Sequence, residues 1–183
     1  GRNGESPMPV IAASSPTDCF DAAYMACKIA LEHMTPVVLL TDAYIANGSA
    51  AWRLPDLAEY PDIRPPYVTP DMAGAWTPFQ RNPQTGVRYW ATPGMEGFMH
   101  RIGGLEKSNE TGAISTDPEN HNLMTRLRAE KVAKIADSIP DLKVEGNQDA
   151  DLLIVGFGGT YGHLHSAMDE LNRRGKKAAL AHF

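Results

Sequence analysis

With 183 residues, 43% of them hydrophobic and 21% charged, the sequence suits one sizeable globular domain or parts of two. A net charge of −5 argues against a nucleic-acid surface, because phosphate binding needs clustered Lys and Arg. No apolar run approaches the ~20 residues that span a bilayer, and no signal-peptide pattern opens the chain, so no membrane partner and a cytoplasmic location are expected.

The stretch SSPTDCFDAAYMACKIALEHM opens on a helix-start signature. Ser15 can cap, Pro16 suits the first helical position, and Asp18 stands three residues after the cap. Phe20, Ala23, Cys27, Ile29, Ala30 and Leu31 give a broad apolar face, and the helix should end near Met34. The only cysteines, Cys19 and Cys27, lie eight apart on this helix. That spacing makes a disulfide geometrically implausible, and two thiols make no cluster for zinc or iron–sulfur. TPVVLLTDAY then reads as a buried strand, since Val37, Val38, Leu39 and Leu40 run without polar alternation. A helix followed by a buried strand is the tail of an α/β layer domain.

From Asn47 to about Gly112 the character changes, with most of the prolines and all three tryptophans. Residues before proline favour extended geometry, so an ordered, loop-rich connector with short strands is expected, its aromatics packing against neighbouring parts. STDPENHNLMTRLRAEKVAKIADSIP is a second long helix, capped by Asp117, with Pro118 first and Glu119 suited to the positive end of the dipole. Leu123, Leu127, Val132 and Ile135 are only roughly periodic among Arg and Lys, which fits a surface helix bridging two domains. IPDLKVEGNQDA leads out of it. ADLLIVGFGG, TYGHLHSAMDELNRRG and KKAALAHF then form a strand, helix and strand, with Gly175 ending the helix. This is one βαβ unit of a second parallel sheet. The start without Met and the stop straight after a strand point to a fragment of a longer subunit.

Gly156, Gly158 and Gly162 give GxGxxxG, one residue longer than the dinucleotide fingerprint. The strand after it ends in His182 and Phe183, without the ribose-binding carboxylate. Free amides at the helix start could still receive an anion, yet any tight strand-to-helix turn also wants glycine. His163 and His165, two apart, do not share a helix face and make no metal pair. No Ser/His/Asp set, paired carboxylates or GxxxxGK stands out. The connector arginines Arg81, Arg88 and Arg101 offer planar forks that hold carboxylates with two bonds, against the plainer role of a surface ion pair. Arg88, among Trp76, Tyr89 and Trp90, is the favoured anchor for a substrate acid group, and His100 beside Arg101 in MHRIGG is the favoured histidine.

These stretches, ASSPTDCFDAAYMACKIALEHMTPVVLLTDAYIANGS and WRLPD, then WATPGMEGFMHRIGGLEK, TDPENHNLMTRLR and DLLIVGFGGTYGHLHSAMDELNRRGKKAALAHF, together resemble the α subunit of 2-oxoacid:ferredoxin oxidoreductases. HRIGGLEK and GFGGTYG point to the 2-oxoglutarate type. The resemblance implies an α/β fold in three parts: residues 1–46 the end of a pyrimidine-side thiamine-binding domain, 47–146 an inter-domain connector with one long helix, and 147–183 the start of a transketolase-C-like βαβ domain. It implies oxidative decarboxylation of 2-oxoglutarate to succinyl-CoA, with electrons passed to ferredoxin. Thiamine diphosphate, magnesium and an iron–sulfur cluster would be held mainly by a partner β subunit. The glutamate that activates thiamine, the GDG-type diphosphate motif and the cluster cysteines have no counterpart here. No catalytic, cofactor-binding or metal residue is therefore expected in this chain, nor activity from it alone. Substrate contacts are expected at Arg88, Trp90, His100 and Arg101. In relatives of broader substrate use, the stretch matching GVRYWATPG carries a carboxylate-holding Arg; Trp90 aligns with it and Arg88 lies two residues earlier. Two other classes remain open: a nucleotide-binding module using the Gly158–Thr160 loop, and a purely structural interaction domain.

Overall fold

The computed structural model describes residues 5–183. Its contacts divide the chain into two compact units. One comprises the described residues up to Pro9, Lys28–Pro36 and Asp62–Ile139; the other comprises Val10–Cys27, Val37–Pro61 and Pro140–Phe183. The architecture is mixed α/β with parallel strand pairs.

In the second unit, β1 (Val10–Ala12) and β2 (Val38–Leu40) pair in parallel, with Val10 opposite Val38 and Ala12 opposite Leu40. The helix between them, α1 (Cys19–Glu32), completes a βαβ unit whose first strand the sequence pattern did not disclose. The start of α1 follows from its capping chemistry. The Asp18 amide donates to Ser15 Oγ at 3.2 Å, while the Asp18 carboxylate accepts from the Ser14 amide at 2.8 Å and its hydroxyl at 2.9 Å. Regular helix begins only at Cys19 because Pro16–Asp18 form the entry turn. At the other end Met34 takes φ +48°, and the Thr35 amide reaches the Ala30 carbonyl at 3.3 Å. A left-handed residue with that reach-back bond closes a helix, and here a methionine fills the position usually left to glycine.

The expected broad face of α1 is narrower in the structure. Ala22 and Ile29 are buried, whereas Phe20 and Leu31 stand more than a third exposed. Phe20 instead meets Trp52 and Tyr60, with ring centroids at 6.0 and 5.3 Å. Likewise β2 is half-buried rather than buried, since among the described residues it has a strand partner on one edge only. A short helix follows, α2 (Ala43–Asn47), whose cap Asp42 accepts from the Ile45 amide at 2.9 Å and so seats the buried Ile45 beside Ala13 and Ala22.

The C-terminal sheet has the order β3 (Val144–Gly146), β5 (Ala178–His182), β4 (Leu152–Gly156). β4 and β5 are parallel, joined by α4 (Tyr161–Arg173), so the expected βαβ unit is present. β3 adds an antiparallel edge in a segment that reads as linker. β5 lies in the middle and is buried almost throughout, packing Ala178 and Leu180 against Met168 of α4. Asn172 locks the strand's start, donating to the Ala178 carbonyl at 3.0 Å and accepting from its amide at 2.9 Å. Gly175, at φ +76°, ends α4 as its position in the sequence suggests.

In the first unit, residues 62–117 carry isolated bridges rather than long strands: Tyr67 with Trp90, Arg81 with Arg88, and Lys107 with Ile114. Then comes α3 (Pro118–Ala133), with Asp117 accepting from the Glu119 and Asn120 amides at 3.2 Å each. Ile135 is buried as its pattern suggests, but Met124 is the buried residue within the helix, while Leu123, Leu127 and Val132 are half-buried. The turn before Arg88 is fixed by Asn82, whose side chain accepts from the Gln84 and Thr85 amides. Gly86 there adopts φ +72°, and a Cβ on it would lie 3.6 Å from Lys131 Cα. The positive φ favours glycine there, while the contact with α3 is of ordinary van der Waals length. No helix among the described residues is long and apolar enough to cross a membrane.

Candidate functional site

The chemistry of the first unit gathers where the Arg81–Arg88 bridge meets the end of α1 and one face of α3. The bridge places both guanidinium groups near the Phe79 ring, Arg88 at 4.4 Å from its centroid and Arg81 at 5.7 Å. Neither is neutralised by a carboxylate. Arg88 donates to the Pro78 carbonyl at 3.2 Å and reaches Met34 Sδ at 3.3 Å. Arg81 donates to the Phe79 carbonyl at 3.1 Å, to the Asn109 side-chain oxygen and toward Met124 Sδ at 3.5 Å. From α3, Lys131 donates to the Met34 carbonyl, which the left-handed Met34 presents at the end of α1. Lys107, only 7% exposed, is held by the carbonyls of Gly103 and Leu105.

None of the ion pairs among the described residues uses Arg81, Arg88, Lys107 or Lys131. Burial lowers the affinity of both arginines for their protons, with the neighbouring Arg88 adding to the effect on Arg81. Burial, then the Arg88 and Arg81 charges, pushes the Lys131 ammonium down to about 8. A group of half-buried cations that destabilise one another is a site that gains by receiving an anion.

Two cavities open on this group. One, of about 350 Å³, is bordered by all four residues nominated from the sequence, Arg88, Trp90, His100 and Arg101, together with Trp76 and Tyr89. The other, of about 300 Å³, is bordered by Arg81, Arg88 and Lys131. Met34, Phe79, Arg88, Gly103 and Lys107 are walls of both. Of the residues walling the larger cavity, Trp76 and Trp90 have indole nitrogens that are buried without a hydrogen-bond partner among the described residues. A buried N–H left unpaired costs about 1–3 kcal/mol, so both donors would gain from an acceptor. The Trp90 backbone is fixed by paired bonds with Pro66 and Val68. His100 stacks edge-on against Trp76 at 5.1 Å, and its Nδ1 lies 2.9 Å from the Phe98 carbonyl. That contact assigns the ring proton to Nδ1 in the neutral form and leaves Nε2 as the acceptor. Arg101 is exposed.

The glycine loop answers to its own neighbours. Gly158 and Gly159 are buried; a Cβ on Gly159 would stand 2.2 Å from Asp42 Oδ2, and one on Gly158 would lie 3.5 Å from Ala12 Cβ. The cavity beside it, about 330 Å³, is walled largely by Ala12, Leu40 and Phe157 and carries the Asp42 carboxylate. A phosphate there would meet that negative charge. His163 packs on Tyr44 and His165 faces Glu145 and Asp169, so the two histidines serve different partners. Among the described residues no group of three or more His, Cys, Asp or Glu side chains is placed to hold a metal ion.

Lys107 and Lys131 are the site residues that sequence reasoning passed over. Lys131 lies on a helix rich in Arg and Lys and reads as part of a solvated face; its one distinguishing signal is the glycine turn that packs over it.

Comparison with known proteins matches the chain to a family. The profile described as "Pyruvate flavodoxin/ferredoxin oxidoreductase, thiamine diP-bdg" matches residues 2–120. Among curated relatives, the 2-oxoglutarate oxidoreductase subunit KorA of Mycobacterium tuberculosis is 46% identical over 183 residues, covering 100% of this chain and 27% of that protein. The 2-oxoglutarate synthase subunit KorA of Methanothermobacter thermautotrophicus is 25% identical over 158 residues, covering 86% of this chain and 41% of that one. A solved structure, the 2-oxoglutarate:ferredoxin oxidoreductase from Magnetococcus marinus with 2-oxoglutarate, coenzyme A and succinyl-CoA bound, superposes with a TM-score of 0.85 at 26% identity, over 98% of this chain and 31% of that one. The chain thus spans well under half the length of these relatives, and it belongs to the thiamine diphosphate-binding family of pyruvate flavodoxin/ferredoxin oxidoreductases.

Proposed function

We propose that the chain is part of the α subunit of a cytoplasmic 2-oxoglutarate:ferredoxin oxidoreductase, which decarboxylates 2-oxoglutarate oxidatively to succinyl-CoA and passes the electrons to ferredoxin. Residues 1–46 then belong to the pyrimidine-side domain, 47–146 to the connector, and 147–183 to a transketolase-C-like domain. Thiamine diphosphate supplies the electron sink for decarboxylation when bound. In this reading the cofactor, its magnesium and an iron–sulfur cluster are held mainly by the β subunit. This chain alone is expected to be inactive.

The observation that carries the substrate assignment is the Arg88 fork, half-buried and without a carboxylate, bordering a cavity of about 350 Å³ walled by Trp76, Tyr89 and Trp90. Arg88 holds a carboxylate of the substrate, and the flat walls of Trp76, Tyr89 and Trp90 exclude water. His100, held edge-on to Trp76, completes the wall, and Arg101 draws the anion in. In the full-length enzyme assembled with its β subunit, Arg88→Ala should raise KM for 2-oxoglutarate roughly 10- to 100-fold, the cost of one charged hydrogen-bonding partner. An unchanged KM overturns the assignment. The nucleotide-module reading is disfavoured by the Asp42 carboxylate against the glycine loop.

A further inference from the structure

2-Oxoglutarate has two acid groups separated by three carbons, and the site has two chambers that share Arg88. We propose that Arg81 and Lys131, lining the smaller chamber, receive the second carboxylate and thereby make this chain select dicarboxylic over monocarboxylic 2-oxoacids. The inference rests on the 2-oxoglutarate reading above.

The support comes from what these cations lack. The sequence holds 22 Asp and Glu residues, yet none forms an ion pair with Arg81 or Lys131 among the described residues. The one carboxylate bordering the chamber, Glu106, is taken by His121 Nδ1 at 2.7 Å and by Arg128 at 3.4 Å. Lys131 Nζ spends one of its three N–H donors on the Met34 carbonyl. Lys131 and Arg81, whose fork is partly spent on Phe79, Asn109 and Met124, border the same cavity of about 300 Å³, which has room for a carboxylate and its methylene stem. Arg88 walls both chambers, and Lys131 walls the smaller one beside it. A monocarboxylic substrate would leave the smaller chamber's cations unpaired, and a site built around a charge discriminates strongly against an analogue lacking it.

Lys131 is also the group that titrates within reach of ordinary assays. Its ammonium loses its proton near 8, so it is charged below that pH and neutral above it. The charged groups facing it are Arg81, Arg88 and Arg128, with Glu106, Lys107 and His33 nearby and Glu5, paired with Arg128 at 2.6 Å, on its other side. Glu106 is held below the usual carboxylate range by His121, and burial lowers His33 as well, which moves both away from the alkaline range.

The test uses the full-length enzyme with its β subunit, in wild-type, Lys131→Gln and Lys131→Arg forms, assayed with 2-oxoglutarate and with 2-oxobutyrate. Lys131→Gln should raise KM for 2-oxoglutarate roughly 10- to 100-fold with kcat little changed, because the lost contact is made equally before and during reaction. In wild type that KM should climb as pH passes 8, and in Lys131→Arg the climb should vanish. A wild-type KM in Lys131→Gln overturns the inference while leaving the 2-oxoglutarate reading standing. A wild-type enzyme that consumes 2-oxobutyrate but not 2-oxoglutarate overturns that reading itself. Loss of turnover of both acids in Lys131→Arg assigns the residue to packing and overturns the inference. A raised KM for coenzyme A alone makes the chamber a phosphate seat and also overturns it.

Discussion

The glycine loop after β4 can be tested as scaffold by replacing Gly159 with Ala. The new methyl would sit 2.2 Å from Asp42 Oδ2 and 2.8 Å from its Cγ, so the carboxylate must swing away. Swinging it breaks the 2.9 Å bond that caps α2 at the Ile45 amide. Loss of such a cap costs about 0.5–2 kcal/mol, and crowding one methyl into a packed site costs about 1–3 kcal/mol. The sum is roughly 1.5–5 kcal/mol. Asp42→Ala removes the cap and the obstacle together, so in that background Gly159→Ala should add under ~0.5 kcal/mol. Hydrogen exchange at the Ala13 and Gly158 amides, which donate to the Leu40 and Phe183 carbonyls, reports the local stability of both strands flanking the contact. Costs that simply add, within ~0.5 kcal/mol, would refute the claim that Gly159 is glycine because of Asp42.

Two further outcomes are expected. Gly146→Ala should loosen the C-terminal sheet by about 2–4 kcal/mol, because a left-handed backbone costs a side chain ~1–2 kcal/mol and the Cβ would meet the Ala178 carbonyl oxygen at 2.7 Å. Exchange of the β5 amides should then accelerate roughly 30- to 700-fold, and unchanged protection would contradict the geometry. The Tyr60 phenol, whose hydroxyl donates to Asp21, is pushed up to about 12, so the bond persists below pH 10 and is lost as pH rises through 12. Ultraviolet titration of Asp21→Asn should return one tyrosine to ionisation near ~10.

Helix ends were the most legible part of the sequence because capping is local. Ser15 with Asp18, Asp117 with Pro118, and Gly175 each act within a few residues, and each forms the bond its spacing suggests. β1 and β3 were not legible, since three residues carry no period. They become strands only by pairing with Val38–Leu40 and Ala179–Ala181, 28 and 35 positions away. The site divides the same way. Arg88, Trp90, His100 and Arg101 fall within fourteen consecutive residues and border one cavity. Lys131 enters through a long-range approach, the Gly86 turn over α3, which no local pattern encodes. Burial expectations for β2 and for Phe20 overshot because an apolar run signals a surface that needs covering without saying where the cover comes from.

The Met34 carbonyl has one more consequence. A free lysine side chain explores many rotamers, and freezing it on a ligand costs about 0.5–1.5 kcal/mol. Here the fold has already frozen it: the left-handed turn that ends α1 aims a main-chain oxygen at Lys131 and holds its ammonium in place before any anion arrives. That ordering cost is settled when the chain folds, so an incoming carboxylate finds a lysine whose position is fixed and whose remaining donors are free.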